Sequence, residues 1–337
     1  MREWPSRAQT AVLVWLLFGV LCLAVEVAGL VDGLALPVPL MITLVMARAV
    51  EGRLEPIARV LRTATLAAAV VSALGAVVVI RRRVALLELS PFTLAAVLGT
   101  FAALAVVMAW RPARVVLLRR LGLDPDSAVH VVSGAGFVVA LLFTVASFID
   151  LQGEPPQPLP LGLSDGLVAL VGDGALALAG VGFLLTRGLR ATADRLDLRP
   201  LGRWALLGAL GIAALFHALV WVLERAEVLL LPNLAALEDR FDYEFVGVPP
   251  VVGGLLLSLG VGIGEEMLFR GAMQPRFGVV LTAVLFAMFH VQYQLPGIGM
   301  IFLVGLGMGL LKRRTSTTFT AAVHVLYDVG AFLLPDL

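Results

Sequence analysis

Residues 249–273 read PPVVGGLLLSLGVGIGEEMLFRGAM. The run is apolar and glycine-rich for some sixteen positions. It then places two adjacent acids, Glu265 and Glu266, and a base, Arg270, before it ends. A helix needs about 20 mostly apolar residues to cross the hydrocarbon of a bilayer. This stretch supplies that length, and it carries charge where lipid would penalise it. Working outward, comparable apolar runs fall at 9–31, 34–50, 64–80, 92–110, 128–149, 161–186, 201–223, 278–295, 297–311 and 316–334. The run at 34–50 is the weakest, being short and containing Pro37 and Pro39. None shows the short alternating pattern of barrel strands, so each backbone must satisfy its own polar groups as a helix. The expected fold class is all-α: a polytopic transmembrane helical bundle of about 10–11 spans.

Composition agrees. The 337 residues are 60% hydrophobic and 15% charged, with a mean hydropathy of +0.99, where a soluble domain is closer to half apolar and a quarter charged. The single cysteine, Cys22, lies in an apolar run. That excludes an intrachain disulfide and any metal site built on paired thiolates. No basic patch with interleaved aromatics points to nucleic acid. Arg2 and Arg7 precede the first run, which is longer than a secretory h-region and carries Glu26, so it reads as a retained span rather than a signal peptide. The Pro-rich stretch 152–160 divides the chain. Residues 1–150 form an N-terminal transmembrane bundle of unknown role, and 161–337 a bundle carrying the chemistry at about 250–332.

Loop arginines set the expected orientation. They cluster at 48–62, 111–120 and 187–203, at Arg270 and Arg276, and at Lys312, Arg313 and Arg314, alternating with acidic or uncharged loops at 150–160, 224–244 and 292–297. Arg276 and the 312–314 cluster are therefore expected on the cytoplasmic side. Arg81, Arg82 and Arg83 break the alternation.

Ionisable groups at membrane depth are a functional hypothesis by default, and they concentrate in the last third. Glu265, Glu266 and Arg270 come first, then Phe286 and His290, then His324 and Asp328. Phe277 and Gly278 read as a tight turn between antiparallel helices, with Glu265 and His290 each about 18 Å along the helices from it. His324 lies about 14 Å from the next turn, near 314–316. Three helices thus bring Glu265, His290 and His324 to similar depth. Glu266 and Arg270 are i,i+4 and can pair, as can His324 and Asp328. Phe286 sits one turn before His290 and can wall the site. Gly305, Gly307 and Gly309 make a smooth helix face that permits close approach.

The motifs EExxxR (Glu265, Glu266, Arg270), FxxxH (Phe286, His290) and HxxxD (His324, Asp328), in this order, resemble the CPBP (CAAX protease and bacteriocin-processing, or Abi) family of intramembrane proteases. The segment 305–315, GLGMGLLKRRT, resembles that family's glycine-rich helix and basic turn. The resemblance covers about 250–332. It implies an intramembrane (metallo)endopeptidase acting on a membrane-associated protein or peptide, with Glu265, Glu266, His290, His324 and Asp328 as catalytic residues and Arg270 and Phe286 in support. It leaves two mechanisms open. Glu265 and His290 could activate water directly, with His324 and residue 328 on the oxyanion. Alternatively one zinc ion could be held by His290 and His324 with Glu265 or Asp328, since one carboxylate and two histidines suffice for an open catalytic site. Many family members carry Asn at position 328; an ionised Asp only accepts hydrogen bonds, which tilts the expectation toward a metal. A prenylated substrate is not implied by any residue pattern. The scarcity of lysine suggests a bacterial inner-membrane protein.

Two other readings compete. A proton-coupled transporter uses buried Glu and His too, but the paired interrupted spans of transporter repeats are not found. A catalytically silent family member acting in bacteriocin immunity is the other, and the intact motifs argue against it. Outside the motifs, His217 reads as a packing histidine. Asp165 and Asp173 face a cavity or mark a span end, His130 lies at an interface, and Glu26 is unexplained.

Overall fold

The computed structural model describes residues 6–31, 33–34, 37–50, 110–135, 159–233, 243–290 and 295–333. The expected spans at 64–80 and 92–109, the end of the span at 128–149, and Arg81, Arg82 and Arg83 lie outside them. Among the described residues the structure is almost wholly helical. The chain divides into two compact units, residues 1–150 with 175–192, and residues 151–174 with 193–337.

In the first unit, α1 (Ser6–Val27) and α2 (Pro37–Val50) form a hairpin. Glu26 is buried at its turn and accepts the Leu34 N–H at 2.6 Å, which explains an acid inside an apolar run. Close packing at Gly19 against Ile42 holds the pair together. The arginines at 111–120, expected in a loop, lie on a helix, α3 (Arg111–Arg120), that Leu118 anchors in the core. A polar, amphipathic helix of this kind is masked in a hydropathy reading by its own arginines. Ser127 then caps the helical residues 128–135 through the His130 N–H, and His130 Nδ1 accepts the Asp124 N–H at 3.0 Å.

The second unit carries the rest, except that residues 175–192, the end of one helix and the start of the next, belong to the first. A short strand β1 (Leu159–Leu161) precedes α4 (Leu163–Val181), whose Asp165 accepts the Gly162 N–H as the acid of a capping box. The short helix α5 (Leu189–Leu196) follows in a stretch expected to be loop. Next is α6 (Ala205–Leu230), longer than expected and reaching into the acidic segment. It exposes Leu206, Leu207, Leu210, Leu215 and Val222, an apolar surface suited only to lipid. Arg203 stacks over Trp204 and Arg225 over Trp221. The two tryptophans are about 26 Å apart along the helix, the spacing of the two interfacial belts of a bilayer. Strand β2 (Tyr243–Phe245) pairs in parallel with β1, Leu161 opposite Phe245, a pairing that no local pattern announces.

The last four elements enclose the site. α7 (Pro250–Glu265) continues into a π-helical segment, Glu266–Met273, and then into α8 (Gln274–Met288). At 39 residues this run is twice a span, and Gly278, at φ 76°, breaks it as the turn expected there. Phe269, nine residues before Gly278, meets Phe286, eight after it, edge-to-face at 5.3 Å, so the two arms run back along one another. α9 (Leu295–Lys312) and α10 (Thr317–Leu333) complete the bundle. Phe216 of α6, Met308 of α9 and Val323 of α10 share one apolar core.

Glycine decides how close these helices come. A Cβ on Gly260 would lie 1.8 Å from the Gly166 carbonyl oxygen, and one on Gly264 2.9 Å from that of Ala169, so α4 and α7 touch backbone to backbone. Gly262, on the other face, abuts Val325 of α10 in the same way. The smooth face expected on α9 packs on both sides: Gly305 against Phe286, Gly307 against Phe216 and Gly309 against Val279.

Candidate active site

Pro275 shapes the segment that bears the acids. It lacks an N–H and its ring crowds the carbonyl of residue 271, so a regular α-helix cannot run through it. The helix widens to i→i+5 bonding over Glu266–Met273, the kind of local insertion often found at functional sites. Glu265 and Glu266 stand where α helix gives way to π helix.

Within that segment Glu266 Oε1 lies 3.5 Å from Arg270 Nε, and both side chains are 0% exposed. The guanidinium sits 4.8 Å above the Phe286 ring, whose face attracts a cation. The contact is an ion pair without hydrogen-bond geometry. Its partners are sealed from solvent and from substrate.

His324 is the hub. Its Nδ1 is 3.4 Å from Glu266 Oε1, while its Nε2 is 3.6 Å from Asp328 Oδ2 and 3.9 Å from Glu265 Oε2. Both ring nitrogens therefore face carboxylates, on two helices. In contrast to the sealed pair, Glu265, His324 and Asp328 keep 15%, 11% and 16% of their side-chain surface. Among the described residues neither Glu265 Oε2 nor either Glu266 oxygen makes a hydrogen bond.

His290 stands just past the end of α8 rather than inside a span. Its Nδ1 donates to the Phe286 carbonyl at 2.8 Å, because a carbonyl can only accept; the lone pair of the neutral ring is then on Nε2. The Phe286 ring lies 4.9 Å from the His290 ring and 5.9 Å from the His324 ring, walling the two imidazoles. His290 is also in electrostatic reach of His324 and Asp328. The three motif helices thus deliver Glu265, Glu266, Arg270, Phe286, His290, His324 and Asp328 to one locus.

Other polar residues sort differently. His217 packs in the bundle: its ring stacks on Tyr327 at 4.3 Å and meets the Tyr327 carbonyl oxygen at 2.8 Å, in space that Gly330 leaves open. Asp173 stands one turn beyond Ala169 and in electrostatic reach of Glu265. The spacing Gly260-x-x-x-Gly264 was the available signal for that neighbourhood. Arg195 donates to the Gly271 and Ala272 carbonyls of the π segment; read as a loop charge, it gave no hint of this.

Among the described residues no group of three or more His, Cys, Asp or Glu is arranged to hold a metal ion. A zinc site on His290 and His324 with Glu265 or Asp328 is one of the two mechanisms that the resemblance leaves open.

Residues 247–330, about a quarter of the chain, match the family model for Rce1-like type II CAAX prenyl endopeptidases. No curated protein and no solved structure matches the chain. The matched segment begins three residues before α7 and ends within α10, so it contains every motif residue gathered around His324. Over that segment this helical chain is similar to the Rce1-like endopeptidases, consistent with the resemblance to CPBP-family membrane proteases carried by its motifs.

Proposed function

We propose that the second unit is an intramembrane endopeptidase that hydrolyses a peptide bond of a membrane-associated protein or peptide by direct activation of water. The observation that carries the reading is the contrast between two neighbouring acids. Glu266 is locked in a fully buried pair with Arg270, whereas the Glu265 side chain keeps 15% of its surface and lies 3.9 Å from His324 Nε2.

In the proposed reaction Glu265 is the general base. It takes a proton from water as the oxygen attacks the substrate carbonyl carbon, and it returns that proton to the leaving amine as the C–N bond breaks. His290, with its lone pair on Nε2, accepts the other water hydrogen and fixes the water's direction of attack. His324 donates from Nε2 to the oxyanion of the tetrahedral intermediate. Glu266, facing Nδ1, orients the His324 ring; Asp328, an acceptor facing the same Nε2, holds that N–H until the oxyanion forms and takes it over. Arg270 and Phe286 keep Glu266 in place.

The substrate class follows from the setting: a peptide presented from the bilayer, in a chain whose match is to prenyl endopeptidases. The arginine distribution supports access from the cytoplasmic side, and the scarcity of lysine supports a bacterial inner membrane. Purified protein in detergent should cleave a membrane-anchored peptide, and Glu265→Gln should lower kcat by about a hundredfold or more while eluting as folded protein. Retained cleavage in that variant would remove Glu265 as the base and with it the mechanism. Prenylated and unprenylated versions of one peptide separate the two substrate classes.

A further inference from the structure

The end of α5 and the turn that follows it touch the π segment, α9 and α10 at the basic end of the bundle. Arg195 Nη1 donates to the Gly271 carbonyl at 2.9 Å and Nη2 to that of Ala272 at 3.2 Å. Pro275, lacking an N–H, cannot donate to the Gly271 carbonyl as the fourth residue of an α-helix would, and Arg195 takes that place. Leu196 is wholly buried against Gly271, where a Cβ would come within 3.1 Å of it. One residue on, the Asp197 carbonyl accepts the Thr317 N–H at 3.2 Å, and the Arg199 N–H donates to Thr318 Oγ1 at 2.9 Å, both at the start of α10. The Asp197 carboxylate pairs with Lys312 at the end of α9 at 3.3 Å and with Arg199 at 2.5 Å.

The backbone of this turn is specialised for the task. Leu198 N–H bonds to the Ala193 carbonyl and Asp197 N–H to that of Asp194, a Schellman stop. The residue at the left-handed position is Asp197, at φ 57°, where glycine is usual. Glycine would relieve the backbone but would forfeit the pairs to Lys312 and Arg199. The turn lies outside residues 247–330, the segment matched by the family model.

We infer that residues 195–199 form a clasp that sets the separation between the helix bearing Glu265 and the helix bearing His324, with Arg195 as its positioning residue. The clasp touches no reacting atom. It acts by holding the π segment and the start of α10 at fixed distance, and so the 3.9 Å gap between Glu265 and His324. Its activity readout rests on the endopeptidase reading, but its geometric readout does not.

The test uses the full chain in a Cys22→Ser background. Spin labels replace Arg276 and Arg313, exposed on the two turns of the matched segment. Arg195→Ala should broaden the distance distribution between them and lower kcat at least tenfold, with KM changed less than twofold. Arg195→Lys should recover part of both, and Asp197→Gly should broaden the distribution although it eases the backbone. In the Arg195→Ala protein, a disulfide between Leu198→Cys and Thr318→Cys should restore kcat when oxidised and lose it again on reduction. An unchanged distance distribution, or a folded Arg195→Ala protein with normal kcat, would overturn the clasp. If no membrane-anchored peptide is cleaved by the unsubstituted protein, the proposed function falls, while the spin-label distances still decide the clasp.

Discussion

Replacing Gly260 with alanine is the most demanding test of how this site is built. The added Cβ would stand 1.8 Å from the Gly166 carbonyl oxygen, 2.4 Å from its carbonyl carbon and 2.7 Å from its Cα, all backbone atoms that cannot rotate aside. Ordinary contact begins near 3.4 Å, so α4 and α7 must part by about 1.6 Å locally. At Gly264 the same change meets the Ala169 carbonyl oxygen at 2.9 Å and asks for only about 0.5 Å. At Gly299, on α9, nothing lies within 4 Å. Overpacking a well-filled interior costs about 1–3 kcal/mol, so Gly260→Ala belongs at or beyond the top of that range and Gly264→Ala near its foot. Gly299→Ala should be neutral or stabilising by up to about 1 kcal/mol, since alanine is the better helix former. Glu265 lies little more than one turn past Gly260, and displacing a reacting group by about 1 Å can cost a hundredfold in rate. The assays are thermal unfolding in detergent, followed by tryptophan fluorescence, and cleavage of a membrane-anchored peptide. Midpoints should fall in the order Gly299→Ala, Gly264→Ala, Gly260→Ala, with kcat following the same order. A Gly260→Ala protein as stable and as active as Gly299→Ala would refute the backbone contact on which the placement of Glu265 depends.

The sealed pair makes a second prediction. Arg270→Ala should destabilise the protein by about 3–5 kcal/mol, because it leaves the Glu266 carboxylate buried without its cation; Glu266→Gln with Arg270→Met should recover most of the loss, and additive losses in the double variant would show that the pair does not act as a unit. At position 328, Asn retains an oxygen that can accept from His324, so Asp328→Asn should keep kcat within about tenfold, whereas Asp328→Ala should lose about a hundredfold; equal losses would remove the orienting role. Direct water activation predicts that cleavage survives dialysis against a strong chelator, and loss of activity restored by zinc would replace that mechanism with the metal-bound water that the resemblance leaves open.

Hydropathy alone specified the solvent and the helical class, because a backbone in hydrocarbon must satisfy its polar groups within its own segment. It also specified the turn at Gly278 and the common depth of Glu265 and His324, since rise per residue is fixed once helices are antiparallel. His217 and the glycines of α9 were legible as packing for the same reason. What escaped were features with no period of their own. α3 and α5 are short and arginine-rich, so charge hid them from a search for apolar runs. The β1–β2 pairing joins segments more than eighty residues apart. His290 fell past its helix end, because the residue that stops a helix is set by what it packs against as much as by sequence.

By itself, then, the order of residues determined that this chain lies in a membrane as helices and that acid and imidazole share a level within it. The pairing of Glu266 with Arg270 was already legible in their i,i+4 spacing; how completely that pair is buried, and what holds the helices at working distance, were decided only by tertiary structure. Glu265 and Glu266 are chemically identical neighbours, and the arrangement of α4, α10 and the turn after α5 around the π segment buries one completely and leaves the other partly exposed.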